Sequence, residues 1–132
     1  MERQTRQKQA VMDAIAQSGR SLNPTEIWAA AQSAVPQINL STVYRQLKSL
    51  QDEGQVLKVD LPGQVARFEA RCNVPHARGH DHHHHHFHCT QCDRVYPIHG
   101  GPGAMDELAP PGFVVEHHEL TLQGRCADCR AA

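Results

Sequence analysis

Two Cys-x-x-Cys pairs, Cys89-Thr-Gln-Cys92 and Cys126-Ala-Asp-Cys129, restrict this chain more than any other feature. Each spacing lets two thiolates leave one tight turn towards the same tetrahedral ion, and two such turns complete a closed four-sulfur zinc site. A fold that obeys this must return the segment at Cys126 to the segment at Cys89. The alternative, a pair of redox dithiols, is the weaker reading where thiols stay reduced. That compartment is the expected one. The opening MERQTRQKQA is charged and lacks the apolar core of a secretory signal, and no stretch approaches the roughly 20 apolar residues that span a bilayer. The expectation is therefore a cytoplasmic protein with no membrane partner, and with metal rather than disulfides on its paired cysteines.

With 132 residues the chain has room for one ordinary domain or two small ones, and two small lobes need a staple such as this zinc. The apolar pattern gives two lobes. Ala10, Val11, Ala14 and Ile15 recur at helical spacing and predict a helix over 5–17. Asn23 can cap and Pro24 can open a second helix, to about Ser33. A third is expected after Ser41 as cap, with Val43, Leu47 and Leu50 as its buried stripe and Gly54 as its stop. The period then changes to two over Val56–Leu61, Pro62-Gly63 turns, and Val65–Glu69 runs back. Three helices and a hairpin describe a winged helix-turn-helix over residues 1–70, with the third helix as the one that enters a DNA groove. Residues 71–80 read as a linker and 81–132 as a second lobe, with strands at 83–89, 94–98 and 114–123 and a short helix near 104–108. The class is α+β.

Charge and composition agree with this division. Residues 1–50 carry six basic and three acidic side chains, +3, which leaves −4 for the rest of a chain of formal charge −1. A basic front half is compatible with a polyanion. In the third helix, Ser41 and Thr42 offer hydroxyls and Arg45 and Lys48 offer cations to phosphates, while Tyr44 can touch a thymine methyl.

The run from His80 to Cys89 has seven histidines. On a strand, His82, His84, His86 and His88 face one way and His83 and His85 the other, so one tract can serve two sites. His-x-His places two imidazoles about 6 to 7 Å apart at the backbone, which suits two ligands of one ion. Glu69 and Cys72, at the end of the wing, and His117 and His118, ahead of the second Cys pair, are candidate partners. A metal buffer built on a loose histidine tract and a zinc hydrolase with Glu69 as base are the readings from other classes. The first predicts no sequence-specific DNA binding, and the second lacks any catalytic signature.

Ser41-Thr-Val-Tyr-Arg45 followed by Leu47 and Leu50, Gly54, Arg67-Phe-Glu69, the histidine run into Cys89-x-x-Cys92, and Gly112-Phe113 through His118 to Cys126-x-x-Cys129 together resemble the ferric uptake regulator family of metal-dependent repressors. The resemblance implies a homodimer joined through a small C-terminal α/β dimerisation domain, a palindromic double-stranded DNA operator, and structural zinc on Cys89, Cys92, Cys126 and Cys129. It further implies a regulatory metal on Glu69, His84 and His86, with Cys72 as the rival or additional donor. A further site falls on His83, His85 and His118, with Asp106 or Glu107 as carboxylate. The sequence departs from iron-type members at Ser21, where those often offer a histidine. Imidazoles and a thiolate suit Zn(II) over Fe(II) or Mn(II), so a zinc sensor is expected ahead of an iron or peroxide sensor.

Overall fold

A computed structural model describes residues 2–71, 85–98 and 105–131, in two compact units, Met1–Asp81 and His82–Ala132. The first unit begins with α1 (Glu2–Ser18), which buries Gln7, Ala10, Val11 and Ile15 on one face and stops before Gly19 at φ 66°. Helix α2 (Pro24–Ala31) starts in a capping box: the Asn23 side chain accepts the Glu26 amide, and the Glu26 carboxylate accepts the Asn23 amide. Helix α3 spans Leu40–Asp52. Its cap is Asn39, whose Oδ1 accepts the Thr42 amide at 2.8 Å, so the expected cap Ser41 lies inside the first turn. Asn39 has the extended backbone that a cap needs, and it stands three residues before the amide it satisfies.

The wing is β1 (Val56–Val59) antiparallel to β2 (Arg67–Ala70), with Val56 opposite Ala70 and Val59 opposite Arg67. Strand β2 starts two residues later than the alternation suggested. Pairing ends at Val59, the turn closes through the Gln64 amide on the Leu61 carbonyl, and Val65 is left exposed. On its other side Phe68 exchanges two backbone hydrogen bonds with Leu22, at 2.8 and 2.7 Å, which ties the wing to the entry of α2. Val11, Ile15, Leu22, Ile27, Val43, Leu47, Leu50, Val56 and Phe68 form the shared core. Leu47 is 1 % exposed, so Leu47→Ala is expected to cost about 2 to 5 kcal/mol in denaturant unfolding of the full chain. A loss below about 1 kcal/mol would remove α3 from this core.

In the second unit a three-stranded sheet has the order β4-β3-β5. Central β3 (His85–Cys89) pairs antiparallel with β4 (Val95–Pro97) and parallel with β5 (Leu120–Gly124). A 3-10 turn occupies Met105–Leu108, and a short helix α4 (Ala127–Ala131), with no counterpart in the sequence expectations, closes the chain. The strand expected from Val114 begins instead at Leu120, which pairs with His85, the first residue of β3. Phe113 and Val114 are 67 % and 81 % exposed, so their apolar character does not mark a buried strand face. No described helix is long and apolar enough to cross a membrane.

Candidate metal centre and nucleic-acid interface

The cysteine cluster follows from sheet geometry. Cys89 ends β3, and a hairpin turn runs from it into β4, closed by the Asp93 amide on the Cys89 carbonyl and the Cys89 amide on the Arg94 carbonyl, both at 2.9 Å. The parallel register sets Cys89 opposite Gly124, and the Thr90 amide donates to the Gly124 carbonyl at 2.8 Å. A Cβ on Gly124 would lie 3.3 Å from the Phe87 ring, so the strand exit is closely packed. Two residues later Cys126 stands beside the first pair, and α4 turns Cys129 back onto it.

The four Sγ atoms lie within 4.8 Å of one another, with Cys89–Cys129 and Cys92–Cys126 each at 3.7 Å. A zinc tetrahedron with bonds of about 2.3 Å has sulfur–sulfur edges of about 3.8 Å, whereas a disulfide needs about 2.05 Å. The cluster therefore fits a tetrahedral ion and not a disulfide. Amides of Cys92 and Cys126 approach the Cys89 sulfur at 3.5 and 3.3 Å. The backbone hydrogen bond from Cys92 leads in holding the Cys89 thiol down to about 6, against the opposing effect of burial. Cys126 is lowered as well, chiefly by the Cys129 backbone. Burial pushes Cys129 the other way, up to about 12, and the neighbouring thiols add to it. Four adjacent thiols without a cation cannot all ionise, and a dication removes that conflict.

Imidazoles gather on β3 and beside it. His85 Nε2 lies 3.0 Å from His118 Nε2, with the rings edge-on at 4.9 Å between centroids and 87° between planes. Two nitrogens bound at about 2.05 Å to one ion are about 2.9 to 3.4 Å apart at ordinary bond angles, so this spacing is compatible with shared ligation. Glu107, exposed on the 3-10 turn, does not join them: among the described residues the four cysteines are the group of three or more such donors within reach of one ion. His86 and His88 lie on the buried face of β3, at 4 % and 8 % exposure. His88 is engaged by Asp93, Nε2 to Oδ1 at 2.6 Å.

Glu69, on β2, is 2 % exposed, and its Oε2 accepts the hydroxyl of fully buried Ser21 at 2.8 Å. Sequence reasoning found no role for Ser21, because nothing local announces a contact made from 48 residues away. Cys72, His83 and His84, together with His80, His82 and the linker 72–80, lie outside the described residues.

On α3, Ser41, Tyr44, Arg45 and Lys48 are exposed, with Tyr44 at 55 %. Thr42 is not among them: it is buried, and its hydroxyl faces Arg45 Nη2 at 3.5 Å, so it supports the exposed face instead of presenting a contact of its own.

Comparison with known proteins gives a consistent result. Residues 2–123 match the ferric uptake regulator family. The peroxide operon regulator of Bacillus subtilis is 25 % identical over 128 residues, 95 % of this chain and 82 % of that protein. Among solved structures, a zinc-bound manganese uptake regulator superposes with a TM-score of 0.70 at 23 % identity, covering 91 % of this chain and 87 % of that one. FurB of Mycobacterium tuberculosis, a zinc uptake regulator, gives 0.52 at 25 % identity, covering 98 % and 96 %.

Proposed function

Because this chain belongs to the ferric uptake regulator family, whose members are metal-responsive transcriptional regulators and not enzymes, we propose that it represses metal-uptake genes as a zinc-loaded homodimer on a palindromic operator. The observation that carries this reading is the presence, in one chain, of a winged helix that leaves Tyr44, Arg45 and Lys48 exposed on α3 and a sheet that ends in a four-thiol cluster. Cys89, Cys92, Cys126 and Cys129 hold the structural zinc. Exposed Phe113, Val114 and Leu122 support association with a second copy through the C-terminal unit.

The regulatory ion draws on Glu69, Cys72, His84 and His86, and a further ion on His83, His85 and His118, which Glu107, the carboxylate expected from the sequence, does not join. Zinc is favoured over Fe(II) or Mn(II) because imidazole and thiolate donors outnumber carboxylates in these sets. A ligand shifts a conformational equilibrium only by its differential affinity. A useful switch therefore needs zinc to bind the DNA-competent form about 100-fold better, about 2.7 kcal/mol. Footprinting on DNA from the protein's own upstream region, with Zn(II), Fe(II) and Mn(II) titrated separately, tests the reading. Protection of a palindrome at the lowest free concentration of zinc supports it, and protection indifferent to metal removes it.

Arg45 and Lys48 are assigned to phosphates. Arg45→Ala is expected to weaken binding to all sequences alike and to reduce the slope of log K against log salt by about one. A change confined to one base position would make Arg45 a base reader.

A further inference from the structure

The turn that carries Cys89 and Cys92 contains a non-glycine residue in the left-handed region, Asp93 at φ 66°. Aspartate tolerates this conformation because its short side chain can hydrogen-bond locally. Here the carboxylate reaches back across the turn to the imidazole of His88, 2.6 Å away. His88 directly precedes the first ligand and Asp93 directly follows the second, so this one hydrogen bond brackets the whole Cys-x-x-Cys turn. It adds a side-chain closure to the two backbone bonds that already join Cys89 to Asp93 and to Arg94. The two ends differ in burial. His88 is 8 % exposed and fixed in the centre of the sheet between Val95 and Gln123, whereas the Asp93 side chain is 66 % exposed. The sheet therefore anchors the turn, and not the reverse.

We propose that His88 and Asp93 are positioning residues that latch the first Cys-x-x-Cys turn in its zinc-binding conformation and slow release of the structural zinc. This rests on the reading of the four cysteines as a zinc site. Neither residue belongs to the four-sulfur group itself. Groups that orient the groups bonded to a metal commonly change its retention by about 10- to 100-fold when removed. The latch acts by keeping Cys89 and Cys92 at the spacing that the second pair, Cys126 and Cys129, requires.

The test uses full-length protein and follows zinc transfer to a colorimetric chelator, with the thiolate-to-metal charge-transfer band of the Co(II)-substituted protein as a second readout. Asp93→Gly keeps the left-handed backbone and removes the carboxylate. It is expected to release zinc about 10-fold faster and to alter the Co(II) band. Asp93→Asn, which retains a short side chain able to hydrogen-bond His88, is expected to restore most of the retention. His88→Phe is expected to match Asp93→Gly, and the double variant to be no faster than either alone. Release at the parent rate from both Asp93→Gly and His88→Phe, with an unchanged Co(II) band, would overturn the latch. Independent, multiplying effects would likewise reduce the two residues to separate structural roles. Parent protein with no zinc at all would instead overturn the zinc site on which the latch depends.

Discussion

Cys89→Ser is expected to yield protein without structural zinc, in which the sheet of residues 82–132 no longer folds while α1, α2 and α3 keep their helical signal. Cys89 is the innermost of the four sulfurs, has no exposed surface, and receives the amides of both Cys92 and Cys126. A hydroxyl there is a poorer zinc ligand and is too short to complete the tetrahedron. Structural zinc in small domains contributes about 10 to 16 kcal/mol of apparent binding free energy, comparable to or above the total stability of a typical domain, about 5 to 15 kcal/mol. Among its described residues the second unit buries little else: the fully covered side chains there are few beside those of the helical unit, and β5 is mostly exposed. Metal analysis and thermal unfolding followed by circular dichroism measure the outcome. A variant that keeps a cooperative C-terminal transition would show that the sheet stands without its metal.

His86→Ala is expected to lower zinc-dependent operator affinity by about 100-fold, about 2.7 kcal/mol, with the structural zinc retained. His86 is buried on β3, and its neighbours in the ladder are Pro97 and Thr121, so the alanine leaves the strand pairing intact. His85→Ala, on the other face and against His118, is expected to have the smaller effect. A filter-binding titration with zinc buffered at fixed free concentration separates the two. Equal losses would make the strand one undivided metal surface and not two faces with different duties.

Much of this was legible from local signals. Helical spacing in α1, the Asn23-Pro24 start of α2 and the Val43, Leu47, Leu50 stripe of α3 each have a cause within a few residues, and the structure places helices there. The four cysteines were legible because Cys-x-x-Cys spacing is itself a geometric statement. What failed was long-range or competitive. Ser41 and Asn39 both qualify as caps, and only the backbone entering α3 decides for Asn39. The pattern from Val114 to Gln123 suggested a strand, but pairing begins only at Leu120, opposite His85, and local pattern does not encode the extent of β3. Thr42 looked like a DNA contact by residue type and is turned inward by the helix phase. The Ser21–Glu69 and His88–Asp93 hydrogen bonds depend on which residues the chain brings together, and composition carries no trace of that.

The most direct measurement is the affinity for the protein's own upstream DNA before and after removal of weakly held metal by a mild chelator, with about one zinc per chain left on the cysteines. Binding that drops by about two orders of magnitude and returns when zinc is added back is the predicted result. Equal affinity in both states, with the four-cysteine zinc in place, would contradict a metal switch in this regulator.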